Sequence, residues 1–135
     1  MKATELMIGD WVKVADNEFR LGFTAKVAEV YKEAIFTESG ENEGECIEEW
    51  NVTPIQLTPE ILEKNGFKPE KGQYSRWYHA QMERMIITLY RSDTFYSIMI
   101  NTDVYLPVLN NIQLHSVHEL QHCLKMVGID KEIIL

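Results

Sequence analysis

The sequence predicts an α+β fold of two parts, and three observations predict it. Residues 1–57 consist of short runs of branched and aromatic residues between turn formers, which is typical of antiparallel strands. Residues 58–66 and 116–127 carry the spacing and end signals of two helices. Residues 82–101 hold two further β runs around a turn, which indicates a hairpin. We therefore expect a β subdomain at 1–57 and an α+β subdomain at 58–135.

The N-terminal subdomain is predicted to be a meander of four or five short strands. Its β runs are IGDWVKV, FTAKVAEVY, AIFT and CIEEWNVTPIQL. Gly9-Asp10, Asp16-Asn17, Gly22 and Gly40 mark the connections between them. A sheet this small protects its edges best by curling into a barrel.

The segment LMIGDWVKV resembles the opening strand of a Src-homology-3-like barrel. This resemblance covers about fifty residues and implies a binding module, by analogy of fold alone. Trp11, Tyr31 and Trp50 are candidates to line a groove of such a barrel. As inner-face strand residues they are more simply interpreted as core.

A short helix is predicted at residues 58–66. Thr58 is suited to cap the first turn, Pro59 to occupy the first helical position, and Gly66 to end the helix in a left-handed conformation. The segment 68–73, with its proline and glycine, is predicted to be a turn or linker and a candidate boundary.

The second β region is predicted as a hairpin formed by RMIITLYR and FYSIMIN. Alternation places Met85, Ile87 and Leu89 on one face of the first arm, and Tyr96, Ile98 and Ile100 on one face of the second. Asn110-Asn111 is then expected to turn the chain into a short strand, IQLH. The final residues KEIIL are expected to return as a strand or to dock as a tail.

The C-terminal helix contains the sequence His118-Glu119-Leu120-Gln121-His122, which resembles the H-E-x-x-H motif of zinc peptidases. This resemblance implies zinc ligands at His118 and His122 and a general base at Glu119. A catalytic zinc site also needs a third protein ligand. At the two positions where the longer metzincin motif requires glycine and histidine, this chain has Lys125 and Gly128.

Three interpretations of this motif follow. On a helical wheel His118 and His122 share a face that points away from the apolar stripe, so they are expected to face solvent. Ser116 and Glu119 form a capping box, which by itself explains the glutamate. We therefore prefer a capped amphipathic helix without metal. A zinc hydrolase with an atypical ligand such as His79 or His115, and an adventitious site of His115, His118 and His122, are the alternatives.

A broader resemblance spans most of the chain. The segments LMIGDWV, PIQLTPEILEKNGF and VHELQHCLKMVGIDKEI resemble a family of small uncharacterised proteins from Bacteroidetes genomes and their phages or mobile elements. In that family the terminal motif is V-H-x-L-Q followed by variable residues, which implies that His122 is not a required ligand. The resemblance implies no activity, cofactor or functional residue.

Charge and cysteine usage exclude several classes of function. The net charge is −8, and residues 1–72 hold 8 Lys/Arg against 15 Asp/Glu, whereas residues 73–135 hold 5 against 6. A broad basic face for DNA or RNA is therefore disfavoured. The glutamate-rich segment 38–49 is predicted to be a solvated loop without calcium-ligand spacing. Cys46 and Cys123 are expected to be reduced thiols.

An aromatic stretch, YSRWYH, forms a possible binding surface with Arg76, Trp77 and Tyr78. Bases or peptides can stack on such side chains, but a strand whose rings pack against the hairpin is the preferred interpretation. A nucleic-acid interface here would also use Arg84 and Arg91.

The sequence therefore predicts a non-catalytic protein-interaction or accessory module of phage or mobile-element origin, with no cofactor and a protein partner. The absence of a long apolar run and of a secretion signal predicts a cytoplasmic location and no membrane contact. The alternatives are a zinc-dependent metallopeptidase and a single-stranded nucleic-acid accessory factor. The sequence does not predict an oligomeric state.

Overall fold

The computed structural model describes residues 1–18, 20–38, 44–72 and 76–135. The chain folds into two units, Met1–Ile55 and Gln56–Leu135. Each unit contains a five-stranded antiparallel sheet, and both α-helices of the described residues belong to the second unit. The predicted α+β class is confirmed. The boundary predicted from the sequence, between residues 57 and 58, lies two residues beyond the observed division.

The first unit is an antiparallel sheet whose inward side chains form its core. Its strands are β1 (Trp11–Val14), β2 (Phe23–Val30), β3 (Ala34–Thr37), β4 (Cys46–Glu48) and β5 (Val52–Pro54). Their order in the sheet is β4-β3-β2-β1-β5. Because side chains alternate across each strand, Val12, Val14, Val27, Ile35 and Ile47 all point inward and are fully buried.

The sheet of the first unit is not a closed barrel. β4 and β5 are the two outer strands of the order, and within the described residues they do not pair with each other. A single 3₁₀ turn at Glu49–Asn51 joins them along the chain. β1 to β4 therefore form an antiparallel meander, and β5 returns to pair with β1 at the other edge of the sheet.

The acidic segment 38–49 was predicted to be a solvated loop, and residues 39–43 of it lie outside the described residues. Cys46–Glu48 also belong to the predicted β run CIEEWNVTPIQL, and there the β prediction is confirmed and the loop prediction is wrong, because these residues form β4 against β3. Glu45, which directly precedes this strand, forms an ion pair with Arg20, with 3.3 Å between the guanidinium nitrogen and the carboxylate oxygen. Strand pairing and an ion pair thus overcome the repulsion among the carboxylates.

The helix α1 (Pro59–Lys64) begins and ends as the sequence predicts. The side-chain oxygen of Thr58 accepts the backbone N–H of Ile61 at 3.3 Å, and Pro59 occupies the first helical position. Gly66 has a φ of 88° and ends the helix in the left-handed region that other residues avoid.

The second unit is built on the sheet β10-β9-β8-β7-β6. Its strands are β6 (Lys68–Pro69), β7 (Trp77–Met82), β8 (Met85–Arg91), β9 (Tyr96–Thr102) and β10 (Pro107–Leu114). The predicted hairpin is β8 and β9, in which Ile87 lies opposite Ile100 and Leu89 opposite Ile98. All four are fully buried, so the predicted apolar faces match the structure.

Two connections differ from their predictions. The segment predicted as a linker contains β6, in which Lys68 pairs with His79 and Pro69 with Tyr78, so it lies inside the second unit. Asn110-Asn111 does not turn the chain but forms an irregularity within β10. Asn111 has a φ of 51°, a conformation that asparagine tolerates, so the extra residue is absorbed as a bulge and the strand continues.

The helix α2 (Val117–Met126) is followed by a tail that docks instead of forming a strand. Ile129 and Ile133 of the tail are buried. The buried amide of Asn65 holds the tail: Nδ2 donates to the carbonyl of Ile134 at 2.7 Å, and Oδ1 accepts the N–H of Ile134 at 2.8 Å.

The described residues contain no helix long and apolar enough to cross a bilayer.

We expect Asn65→Ala to lower the free energy of unfolding by about 2–3 kcal/mol, because it removes both bonds to the tail and a third from Nδ2 to the carbonyl of Ile61. Chemical denaturation and hydrogen exchange at the Ile134 amide measure the loss. The exposed neighbour Glu63 is the matched control, since Glu63→Ala should change stability by no more than about 0.5 kcal/mol. Equal effects of the two substitutions would contradict the role of Asn65.

Candidate functional site

The start of α2 carries the motif that resembles a zinc site, and its hydrogen bonds differ from the predicted capping box. Ser116 Oγ donates to Glu119 Oε1 at 2.8 Å. Glu119 Oε1 also accepts the backbone N–H of His115 at 3.2 Å. Ser116 makes no side-chain bond to a helix N–H. The hydroxyl gives its single proton to the carboxylate, and the nitrogen that its oxygen contacts is Nδ1 of His118, not a helix N–H.

The prediction that both histidines face solvent is wrong for His118, which is only 8% exposed. Its Nδ1 lies 3.0 Å from Ser116 Oγ. Because the hydroxyl proton is directed at Glu119, we assign the proton of this contact to Nδ1, so His118 donates to Ser116 Oγ. A helical wheel contains only the helix itself, so it could not show that this turn is covered.

His122 is half-buried one turn later, and its ring centroid lies 5.5 Å from that of His118 at an interplanar angle of 73°. The two imidazoles thus meet edge to face. Glu119 is occupied by two donors at the start of its own helix, which opposes a role as general base. No group of three or more His, Cys, Asp or Glu side chains that could hold a metal occurs in the described ranges.

The two other histidines considered as ligands lie in different surroundings. His79 is exposed on β7, where its Nδ1 is 3.4 Å from Thr88 Oγ1. His115 is exposed, and its ring lies 6.1 Å from that of Phe95. The network of Ser116, His118 and Glu119 therefore has an evident structural role in fixing the start of α2.

Strand alternation separates the residues of the predicted aromatic surface. Trp77 lies on the outer face of the sheet, with its ring 4.8 Å from that of Tyr90. Tyr78 points to the opposite face, is buried, and meets the ring of Tyr96 edge to face at 6.4 Å. Arg76 is exposed and pairs with Asp93 at 2.8 Å. A platform that stacks bases on all three residues is therefore not formed.

Two small cavities lie in the second unit. One, of about 170 Å³, is on the outer face and is lined by Trp77, Tyr90, Ser97, Met99 and Asn111. The other, of about 160 Å³, is more polar, and Arg91 and Tyr96 are among the residues that line it. The hydroxyl of Tyr96 has no hydrogen-bond partner, but it is completely covered, so a ligand does not reach it. Burial also raises the pKa of this phenol.

Arg84, the remaining arginine of the proposed nucleic-acid surface, is exposed in the turn between β7 and β8.

The first unit exposes two large aromatic side chains that were predicted to be core. Trp50 is 68% exposed on the 3₁₀ turn before β5, and Tyr31 is 50% exposed after β2. The core interpretation is wrong for both because each lies just outside a strand, where alternation no longer directs it inward. Trp11, within β1, is half-buried with the ammonium of Lys26 5.3 Å from its ring centroid.

One exposed apolar surface was not predicted from the sequence. The turn between β9 and β10 exposes Val104, Tyr105 and Leu106, and Val108 follows on β10. We refer to these four residues as the apolar tip. Its signal in the sequence was an apolar stretch without charge directly after Asp103, in a position that must be a turn.

The two cysteines differ in reactivity. Burial, aided by the charge of Glu119, raises the pKa of Cys123 to about 11, whereas Cys46 is exposed. Since the thiolate is the reactive form, Cys123 stays protonated and inert at pH 8.

We expect a disulfide reagent to modify one thiol in the native protein and both in denaturant. Cys46→Ser should abolish the native reaction, and a fast second thiol would contradict the burial.

We expect the protein purified without chelator to contain far less than one zinc ion per chain, because two adjacent imidazoles do not complete a tetrahedral site. Elemental analysis before and after dialysis against zinc measures this. A ratio near one that falls on His122→Ala, with the helix still folded by circular dichroism, would establish a zinc site instead.

Comparison with protein-family models, with curated proteins and with solved structures gave no match.

Proposed function

We propose that the protein is a non-catalytic interaction module whose first unit binds a basic segment of a partner protein. The observation that carries this proposal is the exposure of Trp50 and Tyr31 on a strongly acidic unit. Large exposed aromatic side chains are enriched at protein interfaces and are frequent centres of binding energy.

Backbone hydrogen bonds bring the two aromatic residues to the same corner of the first unit. The N–H of Glu49, next to Trp50, donates to the carbonyl of Glu33 at 3.0 Å. The N–H of Tyr31 donates to the carbonyl of Ala34 at 2.8 Å, which closes the turn that contains Glu33. We call this region the aromatic corner. It presents two aromatic rings on firmly paired backbone.

The charge around the aromatic corner selects the partner. Residues 1–55 hold 5 Lys/Arg and 12 Asp/Glu, a net charge of −7, and residues 27–50 contain eight glutamates and one lysine. Glu29, Glu33 and Glu48 are exposed. Lysine and arginine side chains gain both from these carboxylates and from contact with the faces of aromatic rings, the latter by about 0.5–1 kcal/mol each at exposed sites. A cationic segment is therefore favoured, and nucleic acid is repelled.

The hydrogen bond from the Tyr31 hydroxyl to Glu29 keeps this phenol in its neutral form. That bond and the charge of Glu29 raise the pKa of Tyr31 above its usual value. Tyr31 thus contributes an uncharged ring, while Glu29 contributes the negative charge.

We further propose that the first unit is an open version of a Src-homology-3-like barrel. The order β4-β3-β2-β1-β5 and the 3₁₀ turn before β5 support this fold, in which the first strand lies between the second and the last. Binding is the common role of such barrels, so the fold agrees with the proposed activity by analogy. A cytoplasmic location and an origin in Bacteroidetes, their phages or mobile elements remain predictions from the sequence.

Binding of labelled peptides tests the function. We expect a lysine- and arginine-rich peptide to bind at low salt, a peptide with glutamate at those positions not to bind, and single-stranded DNA not to bind. Trp50→Ala should weaken the peptide complex about tenfold or more, since truncation of a central aromatic residue removes its whole contact.

Leu21→Ala is the matched control, because Leu21 is the most exposed large apolar residue recorded for the first unit, at 85%, and lies outside the aromatic corner. This variant should bind as the wild type does. Equal binding of basic and acidic peptides, or full affinity in the Trp50→Ala variant, would refute the proposed function.

A further inference from the structure

The geometry points to a second contact site, in the second unit, that takes another copy of this chain. We propose that β10 and the apolar tip pair with their counterparts in a second molecule across a two-fold axis. This site is independent of the aromatic corner.

β10 is the longest edge strand among the described residues. Among the described residues it pairs with β9 alone, and it extends over eight residues. The opposite edge, β6, has two residues, a lysine and a proline, which are common means of protecting an edge. The outer strands of the first unit, β4 and β5, have only three residues each. β10 is therefore the edge on which another strand finds room to pair.

The distribution of charge favours a second copy at this edge. The chain carries a net charge of −8, of which residues 1–55 hold −7, so the first units of two copies repel each other. From Val104 to His118 the sequence contains no Asp, Glu, Lys or Arg. This stretch includes all of β10 and the apolar tip, so a contact made here brings no like charges directly together.

The apolar tip supplies the burial that edge pairing alone lacks. Val104, Tyr105 and Leu106 are 67%, 77% and 61% exposed, and with Val108 they present on the order of 400 Å² of apolar surface. Together with the edge strand this approaches the roughly 600–1000 Å² per partner of a stable interface.

Hydrogen bonds hold the apolar tip in one conformation. The N–H of Tyr105 donates to the carbonyl of Thr102 at 2.9 Å, and the N–H of Leu106 to Thr102 Oγ1 at 3.1 Å. Tyr105 has a φ of 61°, which is uncommon for a residue with a side chain. A turn ordered in advance loses little entropy when it binds, and it directs its apolar side chains outward.

An antiparallel edge is complementary to itself. When a two-fold axis places residue i of one strand opposite residue j of the other, it also places residue j opposite residue i. The register of β10 shifts twice, between Pro107 and Leu109 and between Leu109 and Ile112, so regular pairing is confined to residues 112–114. Since β6 blocks the other edge, pairing stops at two molecules. The expected assembly is a closed dimer.

Sedimentation of the full chain over a concentration series from low micromolar to millimolar tests this inference. We expect a dimer whose dissociation constant rises about tenfold or more for Leu106→Lys and for Val108→Lys, because the two-fold axis places the added charges of both copies in one interface. Both residues are exposed, so neither substitution should alter the melting curve of the monomer.

Leu21→Lys is the matched control, since it makes the same change at an exposed leucine of the first unit and should leave the dimer intact. Hydrogen exchange should show concentration-dependent protection of amides in β10. A chain that stays monomeric throughout, or a dimer that persists in both β10 variants, would overturn the inference. Neither result would affect peptide binding at the aromatic corner.

Discussion

Each of the two sheets has only one apolar face, and the need to cover that face is the constraint on which the rest of the structure depends. In the second unit the fully buried side chains come from one face of β8 and β9, from α1 and α2, and from the tail. The helices have only six and ten residues, too few to be stable alone in water. They persist because their apolar sides are buried, and Asn65 adds the tail to the same core through paired bonds to Ile134.

The same constraint explains the hydrogen bonds within the motif that resembles that of zinc peptidases. Burial at the start of α2 covers the ring of His118, and a buried polar group must find partners. Ser116 and Glu119 provide them within one turn, in a chain that runs from Nδ1 through the hydroxyl to the carboxylate. A carboxylate engaged in this way, and also bonded to the N–H of His115, is held at the beginning of its helix. There it complements the positive end of the helix dipole.

The two units divide the surface chemistry of the chain between them. The first unit carries nearly all of the net negative charge together with Trp50 and Tyr31, and this combination favours cationic partners. The second unit is almost neutral, and its exposed edge and apolar tip carry no charge, which favours contact with a like molecule. Charge thus separates two kinds of recognition that apolar exposure alone does not distinguish.

By itself, the sequence determined the α+β class, the cap and the end of α1, and the faces of β8 and β9, because hydrogen-bonding caps, glycine conformations and strand alternation act over a few residues. Only the tertiary structure decided which faces are covered. It buried His118 against the expectation from the helical wheel, exposed Trp50 and Tyr31, and made β10 an edge. These outcomes depend on contacts between residues distant in the chain, and local periodicity carries no information about them.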